Sequence, residues 1–140
     1  MSDIIKFEQY KIYLEDALNV AVRRDTHSFV MLCACTAISV YCAAHVPTET
    51  VNDKLVYSSL AATGFALCVI WDSYLRSCCK LSWAKFEVVL EMEKSLPYTP
   101  YTTEWPRLLK LGYIPLTILD RWIPRMFLIF FFWLGVVCWV

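Results

Sequence analysis

Four cations offer the chemistry most open to a ligand: Arg76 and Lys80, one turn apart in a run free of helix breakers, and Arg107 and Lys110 beyond a proline-rich stretch. Brought together, such groups bind phosphate through charge-assisted hydrogen bonds, and Trp83, Tyr98, Tyr101 or Trp105 can stack on a base beside it. The ligand expected there is a phosphorylated small molecule or an oligonucleotide signal. Glu87, Glu91 and Glu93 follow in the same run, and on a helix Lys80, Glu87, Glu91 and Lys94 share a face. The plainer reading of that face is a solvated stripe of ion pairs.

Four hydroxyls form a second group. Thr36, Ser39, Ser59 and Thr63 lie in apolar runs and are the candidates for lining a lumen shared by several copies of the chain. The plainer alternative is helix packing, with Cys35, Ser39 and Ala43 on one span facing Ser59, Ala62 and Ala66 on the next. No charged residue falls in the middle of any apolar run, which argues against a proton relay or a voltage sensor.

Catalysis and metal binding are not expected, and no cofactor is called for. His27 and His45 sit at opposite ends of one apolar run, with no nucleophile held beside either. Lipid chemistry would have only His27, Asp25 and Asp72 near the interface. Three glycines cannot build a phosphate-cradling loop. Cys33 and Cys35 point in different directions on a helix, so they read as small apolar fillers. Cys78 and Cys79 read as ordinary helix residues, although a thiol just past the membrane edge can be palmitoylated or oxidised. The seven cysteines, odd in number and mostly in apolar runs, are read as reduced.

These groups need elements to hold them, and composition says in what solvent. The 140 residues are 59% hydrophobic, with a mean hydropathy of +0.49, more than a water-facing surface tolerates. A formal net charge of zero argues against a nucleic-acid binder driven by bulk charge. The N-terminus is charged from Asp3 onward and shows no cleavable secretory signal.

The run from Asp53 to Leu96 contains no proline and only Gly64. As a helix it would be about 65 Å long, roughly twice the hydrocarbon thickness of a bilayer. The part from Leu55 to Trp71 is apolar on every side; the part from Asp72 to Leu96 is charged on one face. Residues 3 to 46 lack both breakers and predict a second long helix, capped by Ser2 or Asp3 and stopped by Pro47. Within it Phe7, Tyr10, Leu14, Ala17 and Ala21 recur at steps of three and four.

The expected fold is an all-α membrane protein with three transmembrane helices, the first two forming a long antiparallel hairpin that extends into the cytosol as a helical stalk. The segments are a cytosolic amphipathic helix (1–27), a first span (28–46), a short outer loop (47–53), a second span (54–71), its cytosolic continuation (72–96), a cytosolic loop (97–121) and a third span (122–140). PYTPYTTEWP predicts a loop, followed by a short helix from Glu104 to Leu111, capped by Thr102 or Thr103 and ended by Gly112.

Lys6, Lys11, Arg23 and Arg24 flank the first span, eight more cations lie in 72–125, and the loop 45–54 has only Lys54. The positive-inside rule then predicts an inner-membrane protein with a cytosolic N-terminus and an outer C-terminus. Trp71 and Trp122 fall at the inner interface and Tyr57 and Trp139 near the outer one, as aromatic belts do.

The middle segment carries Trp71, Ser73-Tyr74-Leu75-Arg76, Ala84-Lys85-Phe86, Glu91-Met92-Glu93 with Leu96-Pro97, and Glu104-Trp105. This pattern, over about a quarter of the chain, resembles a family of small uncharacterised bacterial inner-membrane proteins. Leu81-Ser82-Trp83 stands where that pattern has Leu-Asn before Ala-Lys-Phe. The resemblance implies a family rather than an activity; by analogy of class, several small multi-span bacterial proteins of comparable make-up are membrane effectors of anti-phage defence that oligomerise and depolarise the membrane on a nucleotide signal. The expected function is therefore a pore-forming or pore-gating effector of four or more copies. The alternative is a non-conducting adaptor whose stalk and Pro/Tyr-rich loop recruit a soluble cytosolic protein.

Overall fold

The computed structural model describes residues 3–45, 50–97, 99–112 and 116–137. They form five helices: α1 (Asp3–Ala44), α2 (Val51–Glu93), α3 (Pro100–Lys110), α4 (Leu116–Asp120) and α5 (Trp122–Val137). No strand occurs among the described residues. Both α1 and α2 are long and apolar enough to cross a bilayer. The chain divides into two compact units, one of Met1–Asp25 with Arg76–Ile118, the other of Thr26–Leu75 with Leu119–Val140.

In the Thr26–Leu75 unit, Cys35, Cys68, Trp71, Leu75 and Phe131 form a buried core, joined by Met31, Ile38, Phe65, Phe127 and Leu128. The Trp71 indole N–H donates to Ser28 Oγ at 3.3 Å, the Sγ atoms of Cys35 and Cys68 lie 3.8 Å apart, and the Tyr57 hydroxyl donates to the Cys42 carbonyl at 3.5 Å. Partner numbers fall along α2 as they rise along α1, the order made by helices running in opposite directions.

Within this unit the buried stripe of α2 is Tyr57, Ala61, Gly64, Cys68, Trp71 and Leu75, at steps of four and three, with Asp72 buried beside it. This corrects the expected packing face: Cys35 is buried, but Ser59, Ala62 and Ala66 are exposed. Gly64 is needed where it stands. A Cβ there would lie 2.6 Å from the ring of Phe131, so its absence lets α5 seat an aromatic ring against α2.

In the Met1–Asp25 unit, Tyr10 and Ala17 of α1 and Cys78, Val89 and Glu93 of α2 are buried, with Leu14 and Ala21 half-buried. The expected α1 stripe is thus the packing edge, except that Phe7 remains 58% exposed. Lys85 pairs with Asp16 across the two helices and stands 5.6 Å from the ring of Tyr13.

Helix ends follow local chemistry. Thr50 Oγ1 accepts the Asp53 backbone N–H at 3.4 Å, which caps α2 and starts it at Val51. At the other end the chain turns through Ser95 and Leu96, because the residue before Pro97 disfavours helical backbone.

The largest difference from expectation is at PYTPYTTEWP, where helix α3 begins at Pro100 rather than Glu104. Proline suits a first helical position, its ring presetting φ where no amide donor is needed. Pro106 is then accepted inside α3 at the cost of one backbone hydrogen bond. Gly112 ends the helix as expected, at φ +72°. Pro124 likewise falls in the first turn of α5, so that helix starts at Trp122. With 16 residues α5 is about 24 Å long, somewhat under the ~30 Å hydrocarbon core. Tyr98 and Trp139 lie outside the described residues.

Candidate functional site

Glu93 is the centre of the most highly connected polar group in the Met1–Asp25 unit. It occupies the last turn of α2, fully buried. Its Oε1 accepts the Tyr10 hydroxyl at 3.1 Å and the Tyr101 backbone N–H at 3.0 Å. Its Oε2 accepts the Thr102 backbone N–H at 3.1 Å and the Thr102 hydroxyl at 2.8 Å. Tyr101 and Thr102 lie in the first turn of α3, where amides have no partner within their own helix. One carboxylate in the last turn of α2 therefore caps α3 and holds α1.

Burial alone pushes the Glu93 carboxyl up, but the hydrogen bonds from Tyr101, Thr102 and Tyr10 outweigh it and hold it below the ordinary value. The Tyr10 phenol moves the other way: burial first, then its bond to Glu93 and that negative charge, push it up to about 12. The pair is thus a neutral phenol donating to a carboxylate. Lys80, Glu87, Glu91 and Lys94 are all exposed, as a solvated stripe requires, whereas Glu93 lies on the buried side of the same helix. A signal was present: positions 85, 89 and 93 continue the spacing of three, four and seven that runs from Tyr57 through Cys78.

Arg76, Lys80, Arg107 and Lys110, the cations expected to hold a ligand, all fall in this same unit and all are exposed. Arg76, Lys80 and Trp83 share the side of α2 facing away from its buried stripe, and Trp83 is 64% exposed. Arg107 and Lys110 occupy the last turn of α3, and Trp105 is 43% exposed. Tyr101 is committed elsewhere, with its N–H on Glu93 and its ring 6.3 Å from that of Phe86. Through Glu93 and Phe86 the structure attaches the first turn of α3 to α2.

The Thr26–Leu75 unit has its own polar group, near the ends of its helices. The His27 ring packs against Tyr74 at 4.1 Å, Asp72 pairs with Arg125 at 3.7 Å, and the Arg125 guanidinium stands 5.7 Å over the Trp122 ring. Asp72 is buried, so its pairing with Arg125 attaches the start of α5 to α2. This tie between helices was not foreseen in the sequence.

The lumen candidates lie in the same unit. Ser39 donates to the Cys35 carbonyl at 2.8 Å, Ser59 to Val56 at 2.7 Å and Thr63 to Ser59 at 2.8 Å. These hydroxyls therefore return their hydrogen bonds to their own helices, which lets them sit in an apolar setting. Thr36, Ser59 and Thr63 are exposed and Ser39 is half-buried beside Met126, Phe127 and Phe130. Among the described residues no cluster of three or more metal-ligating side chains occurs.

No curated protein and no solved structure matches the chain. One family does, over residues 7–140, and it is described as the octameric membrane protein family. With two helices of spanning length and a match over almost all of its sequence, the chain belongs to the octameric membrane protein family, 8xMP.

Proposed function

We propose that the chain assembles as a homo-octamer in the inner membrane and that the assembly gates a pore, disrupting the membrane when a cytosolic nucleotide-type signal arrives. The observation that carries the membrane-embedded part is the surface of the Thr26–Leu75 unit. Phe29, Val40, Phe132 and Trp133 are 66, 61, 64 and 59% exposed, an apolar surface that lipid or further copies must cover. In this reading α1 and α2 form a hairpin whose Met1–Asp25 unit stands in the cytosol, and α5 with the residues after it makes a third span. The count of cations on each side supports a cytosolic N-terminus and an outer C-terminus.

Three short spans cannot enclose an aqueous path alone, whereas eight copies in a ring can. Thr36, Ser39, Ser59 and Thr63 are the hydroxyls available to line it. The signal would be held by Arg76, Lys80, Arg107 and Lys110, with Trp83 and Trp105 for stacking. A ligand that shifts α3 would act on α2 through Glu93 and Phe86. No catalytic step is needed. Anti-phage defence is the setting favoured by the resemblance in the middle segment.

Uptake of a potential-sensitive dye by expressing cells tests this reading. Depolarisation that is lost in Arg76→Ala with Lys80→Ala supports it. A chain that never depolarises cells, conducts nothing in liposomes and captures a soluble cytosolic protein is an adaptor instead.

A further inference from the structure

We infer that the start of α5 binds the headgroup of an anionic phospholipid, with Arg121 and Arg125 on its phosphate and its acyl chains lying along the exposed side of the helix. This rests on the reading of α5 as a third span and names the lipid that meets it.

Both arginines belong to the Thr26–Leu75 unit, as does Asp72. Arg121 directly precedes α5 and stands four residues before Arg125, a spacing that sets two side chains one above the other along a helix. Arg125 is held on two sides: Asp72 lies 3.7 Å from its Nε, and its guanidinium stands 5.7 Å over the Trp122 ring. Its side chain is nonetheless 38% exposed, and its terminal nitrogens have no hydrogen-bond partner among the described residues.

Arg121 has no hydrogen bond, ion pair or ring contact among the described residues, and its Nε is buried. A buried guanidinium N–H without an acceptor is costly, so the position calls for one. A phosphate diester supplies it, because the guanidinium fork matches two phosphate oxygens at once.

The sign of the headgroup follows from the carboxylates nearby. Asp72 is only 7% exposed and is turned to Arg125, and Asp120 has a partner of its own. Neither is open to the ammonium of an ethanolamine or choline headgroup. The N-terminal end of the α5 dipole adds to the positive potential.

The tails follow from the helix itself. Trp122, Met126, Ile129, Trp133 and Val136 recur at steps of four and three and are between 47 and 64% exposed, so they form one apolar lane that begins beside the arginines. A cationic end above an apolar lane matches a phospholipid from phosphate to tail, and Trp122 stands at the junction as interfacial tryptophans do.

The full-length chain in phosphatidylcholine vesicles with a minor share of phosphatidylglycerol tests this, with bromine placed on the tails of one lipid or the other. Brominated phosphatidylglycerol should quench tryptophan fluorescence well beyond its share of the bilayer, and Trp133→Phe should remove a large part of that excess. Arg121→Gln, which breaks no contact among the described residues, should lower the preference for phosphatidylglycerol about fivefold. Lys11→Gln, which removes the same charge from α1, should leave the preference unchanged.

An excess that is absent from the wild type, retained in Arg121→Gln or lost equally in Lys11→Gln overturns the site and leaves α5 a lipid-facing span. Quenching of Trp133 by neither lipid takes α5 out of contact with the bilayer and overturns the lipid-facing third span together with the site.

Discussion

The two units place different chemistry on the same spacing of buried residues. In the Thr26–Leu75 unit the stripe carries thiols, Trp71 and Gly64, the helices meet through packing with polar contacts from Trp71, Tyr57 and Asp72, and the outside is aromatic and aliphatic. In the Met1–Asp25 unit the stripe carries Tyr10, Lys85 and Glu93, and the helices meet through directed polar bonds. Heptad spacing alone therefore says that helices pair; the chemistry placed on it says by what contacts they do so.

That contrast can be broken from either side. The largest effect is expected at Phe131→Ala, which leaves a cavity against Gly64 and should cost about 3–5 kcal/mol in detergent unfolding. Gly64→Leu should displace α5 instead, and combining it with Phe131→Ala should recover part of the loss. Both changes should leave the Tyr10 and Glu93 contacts intact, as read by the tyrosine titration below.

Next comes Glu93→Ala, which strips the acceptor from the first turn of α3 and should cost on the order of 3 kcal/mol. Limited proteolysis should then cut at 99–112 before any other described segment. Similar cleavage in wild type and variant would mean that α3 is held by other contacts.

Titration separates the units without mutation. The Glu93 carboxyl is held low, so its contribution is present above the ordinary carboxylate value near 4.3 and fades as pH falls through its depressed folded value. Tyr10 is raised, so its contribution is complete below about 10 and lost as pH climbs toward about 12. Phenolate absorbance should show a late transition from Tyr10. Tyr10→Phe should remove that late transition.

The smallest effect is expected from Asp16→Ala. Its partner Lys85 is mostly covered, but Asp16 itself is 61% exposed, so solvent screening limits the loss to about 0.5 kcal/mol and added salt should shrink it further. A loss several times larger would show that the Met1–Asp25 unit is drier at this point than its surface suggests.

Much of the helical layout was readable in advance. Runs without proline, free of glycine in α1 and holding only Gly64 in α2, announced the two long helices, Gly112 announced the end of α3, and the step of three and four announced Tyr10 and Ala17. Proline density misled at 97–106, because the same residue breaks a helix interior yet suits its first turn, and local sequence does not say which applies. Small residues misled on α2, since a packing face and an outward face can both be small. The cations stood out as charges, but their exposure on α2 and α3 required the folded chain.

Sequence by itself determined the solvent and the elements: apolar run lengths demand a membrane, and breaker-free stretches demand long helices, because both follow from residues near in the chain. Tertiary structure alone decided the partners. Glu93 lies 83 residues from Tyr10, and Gly64 is separated from Phe131 by most of the second half of the chain, so neither pairing leaves a local trace. A carboxylate at a helix end reads as solvated until the fold brings to it the donors that repay its burial.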